Sequence, residues 1–134
     1  MKKFYKYLAF VGLIFFGFLL NVNASNCLDD IKNRGYIKVS TNAEFEPFEY
    51  KDGNEMVGID IDIARKIAER LGVNLDINDV SFDAVILELL NKNCDFAISA
   101  MSSSEEKSKN VDFSDSYYVS KQMVIVPKDS NIVS

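Results

Sequence analysis

Histidine and tryptophan are absent, and cysteine occurs only twice, at Cys27 and Cys94. Without histidine no mixed Cys–His zinc site can be completed, and the spacing of the two cysteines fits no zinc pattern. An apolar run long enough to cross a bilayer is also missing. Such a run takes roughly twenty helical residues, whereas Leu8–Leu20 has thirteen. There is no internal repeat, no low-complexity tract and no long flexible linker. Basic side chains number 15 against 20 acidic ones, for a formal charge of −5. An acidic balance of this kind disfavours nucleic acid and anionic membrane as partners.

The apolar residues that are present are concentrated at the start. Lys2, Lys3 and Lys6 precede the run Leu8–Leu20, and Val22 and Ala24 follow at the small-residue spacing that signal peptidase reads. This three-part layout predicts a secretory signal peptide over residues 1–24, cleaved after Ala24. Its removal takes away three positive charges and no negative ones, leaving a formal charge of −8. A retained anchor and lipid attachment at Cys27 are the alternatives, and Asn26 is larger than lipoprotein processing usually tolerates. Export would place both cysteines in an oxidising compartment.

Beyond the leader, Asp29–Arg34 reads as a short helix or turn ending at Gly35, and Tyr36–Ser40 alternates like a strand. Lys51-Asp52-Gly53-Asn54 between short apolar-alternating arms reads as a hairpin turn. Asp60–Leu71 is the clearest helix, with Ile63, Ala64, Ile67, Ala68 and Leu71 on one face, Asp60 or Asp62 as cap, and Gly72 at its end. Val73–Ile77 is the next strand. Asp83–Asn91, capped by Ser81, is a second helix, Phe96–Ser99 a short buried strand, and Tyr117–Val126 an extended segment ended by Pro127. Strand, hairpin, helix, strand, helix, strand predicts an α/β fold with a parallel sheet flanked by helices.

Ligands of open α/β sheets bind beyond the carboxyl ends of the strands. The loops at that end are 41–48, 79–83 and 99–107, which carry aromatics, hydroxyls and a cation. Cys94 and Cys27 fall toward the opposite end, so a Cys27–Cys94 disulfide is geometrically reasonable; two buried or free thiols are the other reading. Asp60, Asp62, Asp76 and Asp79 fit no calcium loop. The hydroxyls and lysines of residues 102–109 lack the further motif that a Ser/Lys nucleophile pair needs.

Four stretches carry a family likeness: Val39–Phe48 with Glu49-Tyr50, Val57–Asp62, Ser81–Ile86, and Cys94–Lys107 running into Val111–Tyr118. In order and spacing they cover residues 28–128, and the chain resembles the periplasmic amino-acid-binding proteins of ABC importers, solute-binding family 3. The nearest likeness is to glutamine-binding and lysine/arginine/ornithine-binding members. The resemblance implies a type II periplasmic binding protein: two α/β lobes joined by a two-stranded hinge, with the ligand between them. Residues 25–117 would be the first portion of lobe one, 118–127 the outgoing hinge strand, and 128–134 a truncated start of lobe two, the rest of that lobe missing.

The resemblance also implies site residues. Phe45 and Phe82 stand where aromatics sandwich the ligand side chain, with plain core packing as the lesser reading of each. Asn42 stands where a common family pattern has Asp, which leans toward a small neutral polar ligand; a plain turn residue is its other reading. Ser99, Ala100 and Ser102 match the loop that holds the ligand's carboxylate and amino groups, though serines also cap turns. Lys107 stands where the family has Arg, and retains the charge without the planar fork. The implied function is periplasmic capture of an amino acid by a monomer, without cofactor, for delivery to an inner-membrane ABC permease. An enzyme on the same scaffold, such as cyclohexadienyl dehydratase, is disfavoured by the absence of histidine. A sensor domain would need a membrane helix downstream. A truncated, inactive remnant is the remaining alternative, and it implies marginal stability and very weak amino-acid binding.

Overall fold

The β-branched alternation of Tyr36–Thr41 produces the central strand of the fold, β1, in a computed structural model that describes residues 27–121 and 123–132. The expected signal peptide, 1–24, lies outside the described residues. Ahead of β1 comes helix α1, Cys27–Arg34, which ends at Gly35 in a left-handed conformation with φ of 81°. After β1 follow the short strand β2 (Glu44–Phe45), the hairpin β3 (Glu49–Asp52) and β4 (Glu55–Val57), helix α2 (Ile59–Leu71), strand β5 (Asn74–Asp79), helix α3 (Phe82–Leu90) and strand β6 (Phe96–Ala97).

These strands make two sheets. One is parallel, in the order β5-β1-β6, with Tyr36 to Thr41 facing Asn74 to Asp79 in unbroken register and Val39-Ser40 facing Phe96-Ala97. The other is antiparallel, in the order β2-β3-β4. The parallel sheet and its helices are as the sequence predicts, and the antiparallel sheet enlarges the expected hairpin by β2. Strand parity sends Ile37 and Val39 to one face, where they pack with Ala64, Ala68, Ile31 and Ile98. Full burial of side chains such as Val39, Ile61 and Val85 is worth about 1.5–3 kcal/mol each.

The start of α2 corrects the expected cap. Neither Asp60 nor Asp62 caps it: the N-cap is Gly58, with φ of 124° and no side-chain cap hydrogen bond. Instead the Ile59 and Asp60 N–H groups donate to the Pro47 and Phe48 carbonyls at 3.1 and 2.9 Å, so the loop backbone satisfies the helix end. This close approach requires glycine, because a Cβ at position 58 would lie 2.2 Å from the Phe48 carbonyl oxygen. Asp62 pairs with Arg65 on the surface.

Of the two readings of the cysteines, the structure has the free thiols, Cys27 exposed and Cys94 buried. The Cys94 thiol is turned inward, where burial raises its pKa although hydrogen bonding to Ser40 opposes the rise.

One compact unit ends at Ala100 and a second begins at Met101. Among the described residues of the second, the one regular element is a 3-10 turn, Lys107–Lys109. Among the described residues of 118–127, expected as a hinge strand, none is in a ladder, and Ile125 is 97% exposed. An apolar β-branched run becomes a strand only when another strand faces its backbone.

Candidate functional site

Beyond the carboxyl ends of the parallel strands lies a cavity of about 340 Å³, lined by Asn42, Glu44, Phe45, Glu49, Phe82, Ser99 and Ala100. That volume is at the lower end of the range for small-molecule sites. Each lining residue comes from a segment ending or beginning there: the end of β1, strands β2 and β3, the first residue of α3, and the loop after β6. Five of the seven residues expected from sequence, Asn42, Phe45, Phe82, Ser99 and Ala100, are thus brought to one cavity.

The aromatics are surface groups rather than core. Phe45 is 55% exposed and Phe82 44%. Phe45 is braced from behind by Phe48, with ring centroids 5.5 Å apart and planes 20° from parallel. Asn42 works partly as a tie, as its turn reading anticipates. Its side-chain Nδ2 donates to the Val80 carbonyl at 3.0 Å and its backbone N–H donates to Ser99 Oγ at 3.2 Å. Nearby, Lys51 Nζ lies 2.5 Å from Asp79 Oδ2, and the Ala43 N–H donates to Asp79 Oδ1 at 2.9 Å. Burial would raise the Asp79 pKa, but Lys51 and the Ala43 N–H outweigh it and hold the carboxyl below its ordinary range. These bonds fasten the antiparallel sheet to the end of β5.

Two residues of the site were not singled out from sequence: Glu49 on the cavity wall and Asp60 behind the Ser99-Ala100 loop. Glu49 is 1% exposed and Asp60 0%. Ser99 Oγ donates to Glu49 Oε1 at 3.0 Å, so its hydroxyl proton is committed there. The Ala100 N–H donates to Asp60 Oδ2 at 2.7 Å and holds Ala100 at a φ of 43°. Burial first, and then Asp60, push the Glu49 pKa up to about 8. A signal for Asp60 was present in the sequence: it stands four and eight residues before Ala64 and Ala68, on the buried stripe of α2.

Ser102 and Lys107 belong to the second unit. There the Lys107 ammonium donates to the Ser102 carbonyl at 3.2 Å, and the Lys107 N–H donates to Ser104 Oγ at 3.2 Å. Among the described residues, no three acidic or cysteine side chains converge as a metal site would require.

A cavity at the carboxyl ends of a parallel sheet, walled by aromatics, amide and carboxyl groups, defines a ligand-binding α/β lobe. Residues 37–134 match the bacterial extracellular solute-binding proteins, family 3, and the chain belongs to that family. It is 38% identical over 96 residues to the arginine-binding extracellular protein ArtP of Bacillus subtilis, covering 72% of this chain and 38% of ArtP. It is similar in structure to holo ArgBP from T. maritima (TM-score 0.66, 50% identity, 67% of this chain, 40% of that chain). It also resembles the arginine-bound form of domain 1 of that protein (TM-score 0.66, 50% identity, 67% of this chain, 72% of that chain). The chain therefore spans about two-fifths of the length of ArtP and of holo ArgBP. These relatives are binding proteins, periplasmic or extracellular, rather than enzymes.

Proposed function

We propose that the protein captures a cationic amino acid, arginine foremost, as the solute-binding component of an ABC importer. The observation that carries this reading is Glu49, a buried acid on the cavity wall that no lysine or arginine neutralises among the described ion pairs. A guanidinium group supplies the missing charge and a fork of donors that matches a carboxylate. Phe45 and Phe82 offer faces for the planar cation. Glu44 adds negative charge to the same wall. This reading replaces the neutral ligand to which Asn42 leans, since the charge complement comes from β3 instead. Arginine is also what the printed names of ArtP and ArgBP specify for those proteins.

Against the very weak binding that the truncated-remnant reading implies, we expect measurable binding by this chain. The arginine-bound form of domain 1 from T. maritima supports this, because in that protein one domain retains the ligand. From the resemblance we further propose Lys107 as the partner of the ligand's α-carboxylate. Lys107→Arg tests that assignment separately, with tighter amino-acid binding expected and no change counting against it. Delivery to a membrane permease and residence in the periplasm complete the proposal.

Isothermal titration of the purified protein with arginine, lysine, histidine and glutamine tests the central point. A charge-assisted hydrogen bond is worth about 1.5–3 kcal/mol, so arginine should bind at least about tenfold more tightly than glutamine. Equal or tighter binding of glutamine would overturn the cationic reading.

A further inference from the structure

The two aromatic walls of the cavity stand on different sheets. Phe45 belongs to β2 of the antiparallel sheet, opposite Glu49, and Phe82 opens α3 shortly after the parallel strand β5. The gap between the rings therefore depends on what joins the two sheets at this end. α3 does not fix its own start: its N-cap residue, Ser81, makes no side-chain cap hydrogen bond, so its approach is set by the residues just before it.

Those residues, Asp79 and Val80, are fastened to the turn at 41–43. The Val80 N–H donates to the Thr41 carbonyl at 2.9 Å, just past the last paired residues of β1 and β5. Asn42 Nδ2 crosses the same gap to the Val80 carbonyl at 3.0 Å. Asp79 closes the seam with both oxygens: Oδ1 accepts from the Ala43 N–H at 2.9 Å, and Oδ2 lies 2.5 Å from Lys51 Nζ on β3. A carbonyl oxygen is an acceptor only, so the group that Asn42 presents to Val80 has to be a donor. An ionised carboxylate at position 42 has none to give.

We propose that Asn42 is a positioning residue for capture: its amide, together with the Asp79 carboxylate, sets the gap between Phe45 and Phe82 that receives the ligand's planar side chain. This role rests on the capture reading above and names what holds its aromatic faces in place. Cation–π attraction reaches only about 6 Å from the ring centroid, so a Phe82 no longer tied through Val80 loses its grip on the ligand. The competing role for Asn42, which lines the cavity, is direct contact with the ligand.

Asn42→Asp separates the two roles by the sign of its effect on arginine binding, read by calorimetry. As a ligand contact, the added carboxylate would tighten binding. As a positioning residue it loses the bond to Val80, and arginine should bind about threefold to tenfold more weakly; unchanged or tighter binding overturns the proposal. A double-mutant cycle with Phe82→Ala identifies the route. Asn42→Ala should weaken arginine binding about threefold to tenfold in the parent and less than about twofold once the Phe82 ring is gone, whereas equal losses in both backgrounds overturn the positioning role and leave the cationic reading intact. Should the parent bind no arginine, the cationic reading falls, and amide NMR of unliganded Asn42→Ala decides the seam by itself. Displaced Val80, Ser81 and Phe82 signals support it, and displacements confined to residues 41–43 overturn it. Should the Asn42 variants fail to fold, Asp79→Asn, which keeps an acceptor for the Ala43 N–H and loses the lysine, is carried through the same cycle and the same spectrum with the same outcomes.

Discussion

Replacing Glu49 by Gln should remove a pH dependence of folding that the parent protein carries between about pH 5 and 8. In the parent, the Glu49 pKa is raised from 4.5 to about 8 by burial and by Asp60. A carboxyl with a raised folded-state pKa favours folding where it is protonated. Its contribution is complete below the unfolded value and is lost as pH climbs through the folded one. The slope is at most about 1.4 kcal/mol per pH unit, which for a domain of this size corresponds to a fall of several degrees in Tm for each unit. The other shifted groups act elsewhere. Asp79 and Glu69, held low, matter in acid, while Cys94 and Lys51, both raised, matter above this window. Gln keeps the shape and accepts from Ser99 without a titratable proton. Urea unfolding of the unliganded parent at pH 5, 6, 7 and 8 should show declining stability, with the variant flat and the more stable of the two at pH 8. A parent whose stability is constant or rises over that range would refute the raised Glu49 pKa.

Three further outcomes follow from the geometry. Gly58→Ala should cost about 2–4 kcal/mol, because the added methyl meets the Phe48 carbonyl at a backbone conformation that favours glycine; chemical denaturation reads this directly. Thiol titration of the unreduced protein should find Cys27 reacting quickly and Cys94 only after unfolding, whereas finding no thiol would restore the disulfide. Phe82→Ala should weaken arginine binding by about 0.5–2 kcal/mol, the range for cation–π contact, with little effect on stability because the ring is 44% exposed; calorimetry and denaturation on the same sample separate the two.

Much of the layered fold was legible because it rests on short-range pattern. Ile63, Ala64, Ile67, Ala68 and Leu71 announce α2 by spacing, and Asp52-Gly53 announces the β3–β4 turn. The loops at the carboxyl ends of β1, β5 and β6 could then be gathered by topology, and within them the family resemblance marked Asn42, Phe45, Phe82, Ser99 and Ala100. Glu49 and Asp60 escaped for a different reason. Their contacts join β3, α2 and the loop after β6, with partners 40 and 50 residues away for Ala100 and Ser99. An acid in a short hairpin arm reads as solvent-facing, and an acid in the first turn of a helix reads as a cap. Only the assembled loops reveal that both are buried. The expected strand at 118–127 illustrates the converse: an apolar run specifies extended backbone, but a facing strand must exist to make it a ladder.

The most direct test of the account is amide NMR of the 15N-labelled protein titrated with arginine. The largest changes should fall on Asn42, Phe45, Glu49, Phe82, Ser99 and Ala100, the segments that wall the cavity. Changes confined to the opposite end of the sheet, around Lys38 and Cys94, or no saturable change at millimolar arginine, would contradict it.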